Sequence, residues 1–307
     1  MNPLRGIALK LTAVMLFIIM SSLIKATSDA VPPGQAVFFR SLFAIPVILG
    51  WLALRGELRT GLRVVSPMSH FWRGIVGTVA MGLMFAGLGL LPLPEVTALG
   101  YAAPLLTVIF AAMFLGEKVG VFRVGAVAVG LVGVLIVLAP RLSVTEGGAT
   151  DTAAALGAMM VLMGAVCVAL AMIYIRKMVQ TEQVAAIAFY FSVTATLLSL
   201  LSLPFGWEWP TGREALLLIG AGLLGGAAQI FLTTSYRHAD ASVLAPFDYA
   251  SMLFALLIGY FIFAEVPTKP MLMGAGLIIV AGIVIILRER HLGLRRGRAR
   301  SVKSTLG

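Results

Sequence analysis

Residues 238–265, HADASVLAPFDYASMLFALLIGYFIFAE, decide how the rest of the chain is read. Between Ala241 and Ala264 lie about 24 mostly apolar residues, and at 1.5 Å of rise each a helix of that length crosses a hydrocarbon layer of roughly 30 Å. Asp248 and Pro246 both sit inside the run. A carboxylate at that depth costs several kcal/mol unless it is paired, protonated or facing water, and a proline breaks the backbone ladder beside it. Anchoring segments avoid both, so this stretch is expected to do more than hold the chain in a bilayer.

Outward from it, apolar runs of similar length recur from end to end. The expected spans are residues 4–24, 34–54, 71–91, 96–115, 121–139, 153–173, 184–203, 215–235, 241–264 and 271–287. Their joints carry stop chemistry: Pro32-Pro33-Gly34, Pro92-Leu93-Pro94, Gly116-Glu117-Lys118, the polar loop 141–151 and the stretch 204–212. The chain has 307 residues, 60% of them hydrophobic and only 12% charged, which excludes a soluble globular domain. The fold class expected is an all-α integral membrane protein of ten transmembrane helices.

The formal net charge is +10. The basic residues gather in short loops and in the 288–303 tail, with no aromatic platform beside them, so they are read as topology-setting charge near anionic lipid and no nucleic-acid partner is expected. With a cytoplasmic N-terminus, that side receives Arg5, Lys10, Arg55, Arg59, Arg63, Arg73, Lys118, Arg123, Arg176, Lys177, Arg237 and the seven basic residues of the tail; the far side receives only Lys25, Arg141, Arg213 and Lys269. Both termini are therefore expected in the cytoplasm, and the first apolar run is read as a retained span, not a cleaved signal. Trp51, Trp72, Trp207 and Trp209 fall near span ends as an interfacial belt and receive no ligand role.

The chain also repeats itself. A shift of 151 places Gly6 on Gly157, Lys25 on Arg176 and Phe38-Phe39 on Phe189-Tyr190; later, Gly125 and Gly133 answer Gly274 and Gly282, and Glu117 answers Glu265. The units are residues 1–140, a linker 141–152, residues 153–287, and a basic cytoplasmic tail 288–307. Five spans per unit give the two halves opposite orientations, the inverted-repeat plan of secondary transporters around a central cavity.

Several motifs are set aside. Gly220-Ala221-Gly222-Leu223-Leu224-Gly225 satisfies G-x-G-x-x-G, but no strand precedes it, and its small residues suit close helix approach. No P-loop is present, so transport would draw on gradients. Cys167 stands alone, and His70, His238 and His291 have no second ligand at helical spacing; no metal and no cofactor are expected.

Candidate cavity residues are the polar and aromatic positions within spans. Arg40 lies inside the second span, where a snorkelling or ion-paired arginine and a contact for a substrate carboxylate both fit. Ser21, Ser22 and Lys25, then Cys167, Ala171 and Tyr174, then Gln229, Thr233 and Tyr236 recur on single helix faces; such stripes serve either as helix–helix contacts or as cavity lining. Met81, Met84 and Phe85, with Tyr101, Tyr249 and Met252, would supply adaptable apolar walls around a small-molecule substrate. Asp248 is either a functional acid or one paired with Arg237 or another cytoplasmic-side group. Glu95 and Asp248 enter from opposite faces, which makes them poor partners for one reaction and leaves an embedded enzyme the weaker reading.

Phe38-Phe39-Arg40-Ser41, Pro104 through Leu115-Gly116-Glu117, the Gly125/Gly133 pair, and Ala239-Asp240-Ala241-Ser242 through Glu265 resemble the EamA-domain group of the drug/metabolite transporter superfamily. The chain is similar to bacterial aromatic amino acid exporters, with S-adenosylmethionine carriers as neighbours. The resemblance implies a basket-like bundle and an alternating-access exporter or facilitator of small metabolites in the bacterial inner membrane, with amino acids as expected substrates and uptake or exchange as the alternative. One departure from internal symmetry stands out: Pro104, thirteen before Glu117, is answered by Met252.

Overall fold

Proline sets the entry to several helices. Pro33 and Pro67 occupy first-turn positions, where the missing N–H has no intrahelical acceptor to lose and the fixed φ already suits the helix. The computed structural model describes residues 3–115, 121–142, 149–178, 181–238 and 244–304, and among them every regular element is helical. In chain order they are α1 (Pro3–Lys25), α2 (Pro33–Leu54), α3 (Leu58–Gly61), α4 (Pro67–Leu90), α5 (Leu93–Gly100), α6 (Ala102–Leu115), α7 (Val121–Leu142), α8 (Ala149–Met178), α9 (Val184–Ser199), α10 (Gly212–His238), α11 (Ala250–Phe263) and α12 (Lys269–Ser304). Short 3-10 turns occupy Leu200–Ser202 and Ala245–Tyr249.

Among the described residues, eight helices are long and apolar enough to cross a membrane, and two shorter apolar helices, Val124–Pro140 and Phe247–Phe263, accompany them. The pattern of burial is inverted relative to a soluble protein. Leu201, Phe261 and Met273 are 72%, 76% and 68% exposed, while Lys10, Arg40 and His70 retain only 2%, 8% and 5% of their accessible surface. Large apolar side chains on the outside, with a few charged ones buried among an apolar core, suit a lipid surrounding, and the chain is a multi-pass membrane protein.

Helix packing follows from small residues. A Cβ on Gly133 would stand 2.8 Å from the Gly274 carbonyl oxygen, and one on Gly274 2.5 Å from that of Gly133; glycine at both positions lets α7 and α12 touch backbone to backbone. Elsewhere α1 lies along α10, α4 along α8, and α2 against both α9 and α10. The Gln35 side-chain amide donates to the Glu208 carbonyl at 2.7 Å, and the Trp207 indole N–H donates to Ser202 Oγ at 3.0 Å, tying the start of α2 to the chain before α10.

Three expected spans take a different course. The run 241–264 is not one helix: a 3-10 turn containing Asp248 precedes α11, as a proline at 246 without an N–H requires. The run 96–115 is interrupted at Tyr101, because Pro104 cannot donate to the carbonyl of Gly100. The helix expected to end at 287 continues to Ser304 through arginines and leucines of good helix propensity. Gly116-Glu117-Lys118, the 143–148 part of the linker and Ala239-Asp240-Ala241-Ser242 lie outside the described residues, as do the side chains of Arg176, Tyr236, Arg237 and the tail beyond Arg288.

Candidate functional site

Five helices converge on a cavity of about 90 Å³: α2 contributes Arg40, α4 Arg73, α8 Ile175, α9 Phe191 and Ser192, and α10 Gln229. The Arg40 guanidinium lies 5.9 Å and that of Arg73 3.8 Å from the centroid of the same Phe191 ring. Planar, weakly hydrated guanidinium groups tolerate an aromatic face better than ammonium does. Close approach is made possible by absent side chains. A Cβ on Gly225 would sit 3.2 Å from Arg40 Nε, and one on Gly77 2.6 Å from Arg73 Nη1.

Neither arginine is compensated. Arg40 Nε and both Nε and Nη1 of Arg73 are buried without a hydrogen-bond partner, and among the described residues no carboxylate lies within ion-pair distance of either. Removing a cation from water without a counter-charge costs several kcal/mol. An anion in that cavity would compensate both groups.

Elsewhere, two largely buried lysines have carboxylate partners. Lys25, the last residue of α1, donates to the Leu88 and Leu91 carbonyls at 3.0 and 2.7 Å and meets Glu265 at 3.0 Å. The other carboxylate oxygen of Glu265 accepts the Leu93 N–H at 2.9 Å. Glu265 is aimed back at this knot by Ala264, which ends α11 at φ 53°. One lysine and one glutamate thus join the ends of α1, α4 and α11 to the start of α5. Near the opposite end of α1, the buried Lys10 ammonium meets half-exposed Asp248 at 2.6 Å. There too, Glu182 between α8 and α9 accepts the N–H groups of Val65 and Ser66 at 2.9 and 2.7 Å, with His70 Nε2 3.4 Å from its other oxygen. Where α5 and α11 meet, the rings of Tyr101 and Tyr249 pack edge to face at 5.1 Å, and the Tyr101 hydroxyl is 2.5 Å from that of Ser251.

The structure therefore distributes the candidate residues. Arg40 and Gln229 share the two-arginine cavity, and Thr233 donates to the Gln229 carbonyl one turn away. Phe85 lines a second, apolar cavity of about 290 Å³ between α1, α2, α4 and α8, with Ile24, Val31 and Met160. Lys25 is in the four-way knot; Tyr101, Tyr249 and Asp248 sit at the helix breaks. Met81 packs against the core, and Ser21, Cys167 and Tyr174 are half-buried on α1 and α8.

Arg73, Phe191 and Lys10 did not enter the expected site. Lys10 and Arg73 fall within the expected spans 4–24 and 71–91 but near their cytoplasmic ends, where they count as topology-setting charge; α4 begins earlier, at Pro67, which puts Arg73 nearly two turns into the helix, and Lys10 is inside α1. The signal for Phe191 was in the repeat: the shift of 151 that pairs Phe38-Phe39 with Phe189-Tyr190 sets Arg40 on Phe191.

Residues 4–139 and 155–288 each match the EamA-like transporter family. The chain belongs to that family. Among its relatives, an S-adenosylmethionine uptake transporter of Rickettsia felis is 29% identical over 85% of both chains. The pseudopaline exporter CntI of Pseudomonas aeruginosa is 29% identical over 91% of this chain and 95% of its own. A riboflavin transporter of Rhizobium johnstonii is 29% identical over 85% of this chain and 83% of its own. A solved crystal structure superposes with a TM-score of 0.65 over 94% of this chain and 98% of the other at 23% identity, a likeness of fold alone. EamA-like proteins with names this varied share a transporter role while differing in solute and direction.

Proposed function

We propose that this EamA-like protein is a secondary transporter moving small metabolites, amino acids including aromatic ones among them, across the bacterial inner membrane by alternating access. The observation that carries the reading is the contrast between matched and unmatched buried charge. The Lys25–Glu265 knot ties the ends of α1 and α4, while Arg40 and Arg73, with no carboxylate in ion-pair distance among the described residues, face a separate cavity. A guanidinium there suits a substrate carboxylate, and Phe191 offers a ring surface.

In this reading Val124–Pro140 and Phe247–Phe263 complete ten spans, both termini are cytoplasmic, and the chain is two inverted five-helix units, 1–140 and 153–287. Support comes from packing: in the repeat register α1 answers α8 and α4 answers α10, so the α1–α10 and α4–α8 interfaces are one interface formed twice. The other candidate residues, Ser21, Lys25, Met81, Phe85, Tyr101, Cys167, Tyr174, Thr233, Asp248 and Tyr249, are assigned to the walls and gates of the path. Outward movement is the direction proposed, with uptake or exchange as the alternative that the Rickettsia relative favours.

Proteoliposomes loaded with labelled phenylalanine or methionine should lose label faster than protein-free vesicles, with and without an imposed proton gradient separating coupled from facilitated movement. Equal rates across an amino-acid panel would overturn the amino-acid assignment.

A further inference from the structure

Among the described residues, the lining of the Arg40–Arg73 cavity holds two permanent cations and no acid. That composition is selective. A zwitterion brings one carboxylate for the arginines and one ammonium, and the ammonium finds only neutral acceptors there, the Gln229 amide and Ser192 Oγ, the latter already donating to the Ala188 carbonyl at 3.0 Å. A monoanion leaves one guanidinium uncompensated. A solute with two carboxylates matches both charges.

Geometry points the same way. Both guanidiniums border one ring, Arg73 at 3.8 Å and Arg40 at 5.9 Å from the Phe191 centroid, so two cationic anchors lie close together at one cavity. Two forks so placed suit two carboxylates joined by a short linker. A cavity of about 90 Å³ suits a linker of a few carbons. Apolar wall from Ala44, Ile48 and Ile187 would face its methylenes.

We infer that the cavity between α2, α4, α8, α9 and α10 binds a compact organic dianion, a short dicarboxylate, through Arg40 and Arg73 together. The inference puts a dicarboxylate in place of the amino acids proposed above as the solute of this cavity, and rests on the carrier reading only for the statement that the bound solute is moved. Arg73 is then a specificity-determining residue: it distinguishes two carboxylates from one.

The test uses the full chain in lipid nanodiscs at about pH 7, where both carboxyls of succinate are ionised. Binding of labelled succinate is measured against competition by butyrate, of equal carbon number with one carboxylate, and by phenylalanine. Succinate is expected to bind about tenfold or more tighter than butyrate, the size of one charge-assisted contact. Arg73→Gln should bring the two within about twofold, and Arg73→Lys should keep most of the preference. Arg73→Gln removes an uncompensated charge, so its ligand-free thermal midpoint should be no lower than that of the parent, which separates lost recognition from lost folding. Equal binding of succinate and butyrate by the parent, or an undiminished preference in Arg73→Gln, would overturn the inference. If labelled phenylalanine is carried while succinate neither binds nor moves, the carrier reading stands and the dianion falls. If succinate binds with that preference and no solute moves, the reverse holds.

Discussion

The Lys25–Glu265 knot and the Arg40–Arg73 cavity solve the same electrostatic problem in opposite ways. Lys25 has two carbonyls and a carboxylate, and Glu265 adds a backbone N–H, so the charge of each is matched within the protein. Arg40 and Arg73 have an aromatic ring and no anion among the described residues. A matched pair stabilises the arrangement that makes it; an unmatched pair destabilises the empty protein and is relieved only by something arriving. In the transport cycle proposed above, the first would act as a gate and the second as a binding site.

The largest expected effect comes from breaking the matched side. Lys25→Met leaves Glu265 without its counter-ion and should cost about 3 kcal/mol, the range for removing one partner of a buried pair. It should lower the thermal midpoint and open the knot, read as faster labelling of Leu91→Cys by a membrane-impermeant maleimide in a Cys167→Ser background. Adding Glu265→Leu should restore part of the loss and no more, because Leu93 N–H then loses its acceptor. Unchanged labelling in Lys25→Met would remove the knot's role as a gate.

Arg40→Gln probes the unmatched side and should split the two readouts that Lys25→Met moves together. Stability is expected to hold or rise, while the transport KM for a carboxylate solute rises about tenfold to a hundredfold, corresponding to roughly 1.5–3 kcal/mol for a hydrogen bond to a charged group. A fall in thermal midpoint as large as that of Lys25→Met would make Arg40 structural.

Between the two stands Lys10–Asp248, a pair with one member buried and the other half-exposed. Solvent screening at the carboxylate discounts its strength, and a double-mutant cycle with Lys10→Met and Asp248→Asn should give a coupling of about 1 kcal/mol in unfolding. A coupling near zero, with transport kinetics altered in Asp248→Asn alone, would move Asp248 from the matched class to the functional one.

These three regions were unequally legible in the sequence. Apolar runs of membrane length are local signals and carry the helices; of the Gly125/Gly133 and Gly274/Gly282 pairs that mark the repeat, Gly133 and Gly274 make the close α7–α12 contact, while Gly125 has no neighbour within 4 Å and Gly282 faces Tyr249. Asp248 stood out for the same reason, as an acid in an apolar run, and a cytoplasmic-side partner was among the alternatives weighed for it; that the partner is Lys10 is a tertiary fact. Lys25 and Glu265 each lie at a span edge, where a charge is ordinary, and only folding brings residues so distant in sequence together. Arg73 was hidden by its flank: Ser66-Pro67-Met68-Ser69-His70 is too polar to extend an apolar window, yet Pro67 at the helix entry adds about a turn and carries Arg73 inside. Broken helices at Tyr101 and at Ala245–Tyr249 were legible as proline positions, though not as two tyrosines packed ring to ring.

The smallest effect concerns Glu182, a matched acid outside the spans. Burial disfavours its charged form, but the N–H donors of Ser66 and Val65 together with His70 outweigh that and hold its carboxyl below the ordinary glutamate range. The native protein therefore releases this proton more readily than the unfolded chain, in which a glutamate titrates near about 4.3. Stability from Glu182 is then complete above that value and is lost as pH falls through the lower native one. Glu182→Gln should lie about 1–2 °C below the parent in thermal midpoint at neutral pH, with the gap closing on acidification below about pH 4. Parallel profiles would mean that the carboxylate is not held ionised by these donors. Because Val65 and Ser66 lead directly into α4, a loosened Glu182 would also loosen the helix that positions Arg73, so a matched charge in a connection supports the unmatched one in the cavity.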